Sequence, residues 1–195
     1  MFEPNLNIVD ARFEINLPQL LRAIEFYKKL GYKPISAAQC VGIQAINKTI
    51  PEGAVPLAHD EDNFYVGSAE QSFYDMMTRY KTRGTPISPN GKFMMLTPCQ
   101  RNERVIDDSH LEIFLKLELI SFERTVVTDA LAFFRQEGLK DAIVVDAPQG
   151  LDIEYKGVEL GSYGKRTHEG EIVYFGTGIA MPRISYAIAK AVNLI

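Results

Sequence analysis

The chain is poor in cysteine, carries no excess of positive charge and has no long apolar run. Each shortage removes a class of protein. Two cysteines in 195 residues, Cys40 and Cys99, are too few for a disulfide scaffold and form no CxxC pair of metal-ligand spacing. The 21 Lys and Arg against 25 Asp and Glu leave a formal charge of −4. The basic footprint that DNA, tRNA or an anionic membrane surface would need is therefore missing. The apolar runs stop well short of the ~18 residues of a membrane span, and the N-terminus has no basic-then-apolar signal, so the expected compartment is the cytoplasm. What remains is an ordinary globular composition, 46% hydrophobic and 24% charged. The length suits a single domain over residues 1–195.

"NLPQLLRAIEFYKKLG" reads as a helix capped by Asn16, with Pro18 in its first turn and Gly31 as its stop. Leu20, Leu21, Ile24, Tyr27 and Leu30 share its apolar face. An extended stretch over 33–41 follows, then a Pro- and Gly-containing loop over 47–63. "AEQSFYDMMTRYKTRG" is a second helix. "KFMMLTPCQR" and "IFLKLELISFE" alternate with period two and read as an antiparallel pair. After a third helix, "VTDALAFFRQEG", come strand candidates "AIVVD", "LDIEYKGVELGS", with a turn at Lys156-Gly157, and "EIVYFGTG". The last helix is "IAMPRISYAIAKAV". Helix first, strands between and helix last suggest an α+β fold with an antiparallel sheet.

Three charged features stand out. In "CQRNERVIDDSHLEIFLKLEL", Arg101 and Glu103 alternate on one side of a strand that returns through Phe114 and Glu118. In "LDIEYKGVELGSYGKR", Asp152 and Glu159 lie on adjoining strands. If these turn back on each other, the carboxylates converge with only an external cation between them, an environment suited to Mg²⁺ with a polyphosphate. Arg166 follows a loop with Gly161 and Gly164. In "GTGIAMPRISYAIAKA", Gly176 and Gly178 admit a ligand close to the backbone, a helix starts just after them, and Arg183 follows one turn in. Taken singly, each feature is equally a solvated hairpin, an exposed acidic face or a helix cap with a surface arginine.

In this order the three resemble the signature of class II aminoacyl-tRNA synthetase catalytic cores: an Arg-x-Glu strand, a loop, a returning strand with Phe, and a Gly-rich strand–helix junction with Arg. "HLEIF" and "ELGSYGKR" resemble the aspartyl/asparaginyl branch and ammonia-dependent asparagine synthetase in particular. The resemblance runs from about Leu30 to the C-terminus. It implies an antiparallel sheet flanked by helices, and ATP and Mg²⁺ as cofactors. Arg101 would hold the α-phosphate and the attacking carboxylate, Glu103 would accept from the adenine amino group or order the loop around it, and His110 would reach the outer phosphates. Phe114 would stack under adenine, Asp152 and Glu159 would bind Mg²⁺ and ATP, and Arg183 the γ-phosphate. Arg101 and Arg183 would be the catalytic pair. Arg166 would grip a substrate side-chain carboxylate. "VGSAEQSF" resembles the amino-acid loop, in which Ser68, Glu70 and Gln71 would bind the substrate ammonium. The same three residues also read as an ordinary helix cap, Ser68 with Gln71 as its capping-box partner.

There are departures. Ala38 stands where the first motif has proline, Ile113 where the branch has glutamate, and Pro182 precedes Arg183 where many members have an acid. With roughly thirty residues before the first motif, the anticodon-binding domain that the branch carries is not expected in this chain. The expected activity is ATP-dependent activation of an aspartate-like carboxylate through an acyl-adenylate, with transfer to ammonia or another amine, in a homodimer. Two alternatives stay open: a non-catalytic regulatory paralogue, and a catalytic module that charges tRNA with a separate partner.

Overall fold

A computed structural model describes residues 15–51, 53–84, 90–103, 111–168 and 170–191. His110 lies outside them. The elements run α1 (Leu17–Lys29), β1 (Lys33–Pro34), β2 (Cys40–Gly42), α2 (Ile43–Ile46), β3 (Asn63–Tyr65), α3 (Ala69–Thr82), β4 (Lys92–Gln100), β5 (Ile113–Ser121), α4 (Val126–Gln136), β6 (Ile143–Ala147), β7 (Gly150–Tyr155), β8 (Val158–His168), β9 (Glu171–Met181) and α5 (Arg183–Ala191). Seven strands form one sheet in the order β1-β4-β5-β9-β8-β7-β6, antiparallel except for β1, and β2 and β3 pair separately. The α+β architecture with helices flanking an antiparallel sheet is the expected one. Among the described residues no helix is long and apolar enough to cross a membrane.

The local signals work as chemistry dictates. The Asn16 carboxamide accepts the Gln19 N–H at 3.0 Å, capping α1. The β7–β8 hairpin turns at Lys156 and Gly157, both at positive φ as a type I′ turn requires. Three expectations need correction. Gly161 and Gly164 lie within β8 rather than in a loop. Gly176 and Gly178 lie within β9, and the helix starts later, at Arg183 itself. Of the stretch 33–41, only Lys33–Pro34 and the start of β2 are strand.

Alternation along β5 divides the molecule. Leu115, Leu117 and Leu119 face the main core, where Leu20, Ala23 and Tyr27 of α1, Phe133 and Phe134 of α4, and Ile184 of α5 pack. Leu20, Ile24 and Tyr27 of the expected apolar face of α1 turn inward, but Leu21 and Leu30 do not: they are exposed, Leu21 at 61%, as is Leu17 at 58%. On the other side Ile120 packs with Met95, Val173 and Phe73 and Tyr74 of α3. α3 covers one end of that face. The rest of the face, Phe114 to Glu118, is left for a different use.

Two irregularities shape it. Leu117 pairs with Ile179 but Glu118 with Thr177, so Gly178 is an extra residue in β9, a bulge. The carbonyls around it are met by buried phenols: Tyr27 donates to Gly178 O at 2.9 Å and Tyr163 to Thr177 O at 2.7 Å. A Cβ on Gly176 would lie 2.1 Å from the Tyr163 ring. The glycines of β9 admit the protein's own tyrosines, which corrects their reading as a ligand approach. A second shift, between Ile153 and Glu154, makes Leu160 the extra residue in β8.

Candidate active site

The uncovered sheet face is the floor of a cleft of about 530 Å³. Its walls come from residues 46–51 and 54–57 and from the N-terminus of α3. Ser68, Glu70, Gln71, Arg101, Glu103, Asp152 and Arg166 all line it, joined by Lys116, Glu118 and Ser162. Residues from six separate segments therefore converge there.

At the α3 wall the Ser68 hydroxyl accepts the Glu70 N–H at 3.2 Å, and the Gln71 carboxamide accepts the Gly67 N–H at 2.8 Å. This is the reciprocal cap, displaced by one residue. Ser68 also donates to Glu118 at 2.7 Å, so the cap is bolted to the sheet. Glu70 is buried, and burial pushes its carboxyl up to about 7; Arg166 pulls the other way and Glu118 adds to the rise.

Arg166 reaches this carboxylate from β8, Nε to Oε1 at 3.0 Å. It also lies over the Phe175 ring and donates to the Thr49 carbonyl at 3.4 Å. A half-buried arginine needs an anion, and the chain supplies Glu70. This corrects the picture of an arginine that awaits only the substrate.

Arg101 sits one residue past the end of β4, so it and Glu103 stand beyond the strand rather than on it. Its main-chain N–H bonds Glu112 O at 2.8 Å. Its side-chain Nε donates to Gly67 O at 3.0 Å, and the guanidinium lies 4.9 Å from the centre of the Phe114 ring. Glu103 Oε1 is 4.0 Å from its Nη1. Phe114 is buried beneath it with Cys99 and Ala180.

Asp152 and Glu159 do come together, but through a mediator. Asp152 is opposite Ser162, whose hydroxyl donates to Glu159 at 2.9 Å. Strict alternation would place Glu159 and Ser162 on opposite faces; the bulge at Leu160 brings them together. Nor are the carboxylates without an internal cation, since Arg183 Nη2 is 2.8 Å from Glu159 Oε1. Arg183 is the first residue of α5 rather than one turn in. Burial raises the Asp152 carboxyl above its ordinary range, Ser162 offsets part of this, and Glu159 adds to it. Glu159 lies one hydrogen bond behind the cleft-lining Ser162 and Arg183 a second one behind Glu159, and Phe114 is likewise not among the residues that line the cleft.

Of the pair Lys116 and Glu118, only Glu118 is named from the sequence, as part of the returning strand and with no role at the site; Lys116 is not. Their signal was nonetheless present: "FLKLELI" carries two charges on the face of a strand whose other face is all leucine. Among the described residues no group of three or more His, Cys, Asp or Glu side chains is placed to hold a metal ion. Two carboxylates and a hydroxyl still suit Mg²⁺, which takes one or two carboxylates and completes its shell with phosphate and water.

No family model matches the chain, and no curated protein matches it. Solved structures do. A pyrrolysyl-tRNA synthetase of Desulfitobacterium hafniense superposes with a TM-score of 0.69 at 15% identity, over 87% of this chain and 67% of that one. Seryl-tRNA synthetase from Pyrococcus horikoshii, complexed with ATP, gives 0.66 at 17%, over 89% and 50%. The cytoplasmic serine-tRNA ligase of Naegleria fowleri, in complex with AMP, gives 0.62 at 14%, over 90% and 53%. The chain spans about half the length of the two seryl proteins. At such identities the likeness speaks to architecture alone: the fold is that of a class II aminoacyl-tRNA synthetase catalytic core.

Proposed function

We propose that the chain activates the carboxylate of a small α-amino acid with ATP, forming an acyl-adenylate and pyrophosphate. The observation that carries this reading is the meeting of Arg101, the Ser68–Gln71 cap and Arg166 on one cleft of a sheet with this fold. Attack of a carboxylate on an α-phosphate brings like charges together, and the chemistry needs cations fixed in advance. Arg101 is anchored at its Nε by Gly67, which leaves its terminal nitrogens to meet the phosphate and the attacking oxygen. Arg183 would meet the outer phosphate and Phe114 the adenine ring. Glu70 takes the substrate ammonium when ionised, with Ser68 and Gln71 ordering the loop. Asp152 and Glu159 would hold Mg²⁺, which when bound offsets the charge of the phosphates.

The finer reading places the chain beside the aspartate-using members. Arg166 lies seven residues after Glu159, and its fork is shared between Glu70 and a substrate side-chain carboxylate. The acyl group then passes to ammonia or another amine. Pyrophosphate exchange screened over the amino acids tests this: exchange with aspartate or a close diacid, reduced selectively by Arg166→Leu, is expected. Exchange with an apolar amino acid, indifferent to Arg166→Leu, rejects the acidic substrate, and no exchange with any rejects adenylation.

A further inference from the structure

We infer that the Lys116–Glu118 pair on the cleft floor is the specificity determinant that excludes apolar substrate side chains; as a substrate-class statement it rests on the amino-acid reading of this cleft. Both residues line the cleft, yet Glu118 is fully buried and Lys116 nearly so, at 0% and 8% exposure. Lys116 Nζ is 3.0 Å from Glu118 Oε1 and 2.8 Å from Oε2. Oε2 also accepts from Ser68, at the start of the wall assigned to the substrate ammonium.

The pair occupies positions where the fold has no need of charge. The flanking residues of the same row, Phe114 and Ile120, are apolar and packed, and the reverse row is leucine. Replacing a buried ion pair by apolar residues of similar volume commonly leaves stability unchanged or improves it. A buried charge pair at the floor of an otherwise unfilled cleft is better explained by what enters the cleft.

An ammonium has three donors and a carboxylate about four acceptor sites, more than the two groups and Ser68 consume. Both residues line the cleft, so this spare capacity is within reach of what enters there. A polar side chain meets it; an apolar one strands it, and a site built to hydrogen-bond its ligand rejects an analogue that cannot. Neutral replacement of both members removes this discrimination without stranding either charge.

The test is equilibrium binding of a zwitterion panel, aspartate, asparagine and serine against leucine and methionine, by calorimetry on wild type and Lys116→Met/Glu118→Gln. A fold check uses circular dichroism and thermal melting. Wild type is expected to favour the polar set by about a hundredfold or more. The double variant should reduce that ratio at least about tenfold while melting near the wild-type temperature. Because the readout is a ratio within each protein, a general loss of affinity does not mimic it. If that double variant misfolds, Lys116→Gln/Glu118→Gln, which also strands neither charge, is read in its place, with the same fall in ratio expected. Wild-type preference for apolar ligands, no binding of any member, or an unchanged ratio in the folded variant overturns the inference. Intact selectivity of binding without pyrophosphate exchange supports the pair's role and rejects only the adenylate chemistry.

Discussion

The Arg101 guanidinium rests over the Phe114 ring and is tied by Nε to the Gly67 carbonyl, one residue before the α3 cap. One side chain thereby touches both the proposed nucleotide shelf and the loop proposed to take the amino acid. Arg101→Lys keeps the charge but loses the planar fork. Pyrophosphate exchange should fall about 10²–10³-fold, the usual loss on removing one fixed donor from a developing charge. Unchanged exchange and ATP affinity in the folded variant would reject the catalytic role.

Arg183 holds Glu159 and lowers the charge around Asp152. With Arg183→Gln, two carboxylates share the corner with Ser162 alone. The Asp152 carboxyl should then titrate higher than in wild type, as followed by NMR. ATP affinity, measured by calorimetry, should drop on the order of 10–100-fold with the lost charge-assisted contact.

Glu70 gives a pH signature. Its carboxyl titrates near 7 because burial disfavours the anion. Ammonium binding needs the anion, so affinity for the amino acid should weaken by up to tenfold per pH unit below about 7. Glu70→Gln should flatten the profile at the weak level. Because burial outweighs the Arg166 partner, the stability sign is the reverse of that for an acid whose carboxyl is lowered by its salt bridge. Between the ordinary glutamate range and 7 the folded state binds more protons than the unfolded one, so this residue's contribution falls as pH rises. Urea unfolding of wild type should therefore lose on the order of 1–3 kcal/mol relative to Glu70→Gln between pH 5 and 8. A pH-independent difference would contradict the raised carboxyl.

The β9 bulge is held by tyrosines. Tyr27→Phe leaves Gly178 O without its buried donor and should cost about 1–3 kcal/mol. Gly176→Ala forces a methyl into the Tyr163 ring and should cost about 1–3 kcal/mol or more. Chemical denaturation measures both; a neutral Gly176→Ala would show that the ring has room to move.

A homodimer through α1 is expected to use Leu17 and Leu21, since Leu20 and Tyr27 are consumed by the chain's own core. Leu17→Lys/Leu21→Lys should give a monomeric mass by light scattering at micromolar concentration where the parent chain is a dimer. A monomeric parent removes the expectation.

Periodicity and punctuation settle locally, and where both are strong the sequence specifies the element. Asn16, Pro18 and Gly31 delimit α1, and Gly84 and Gly138 follow α3 and α4 at positive φ. The alternation of "KFMMLTPCQ" and "IFLKLELIS" specifies the antiparallel β4–β5 pair, because one face must be buried. The order of Arg101, Phe114 and Arg183 along the chain was enough to anticipate the fold. Which charges would meet was not legible. Glu159 and Ser162 share a face only because Leu160 bulges, Arg183 reaches Glu159 across 24 positions, and Arg166 reaches Glu70 across 96. Register shifts and long-range pairings depend on which neighbours fill space, and no local pattern encodes that. The glycines of β9 show the same division: their presence could be read, but whether they admit a phosphate or a tyrosine was decided by the packing of Tyr27 and Tyr163 behind the sheet.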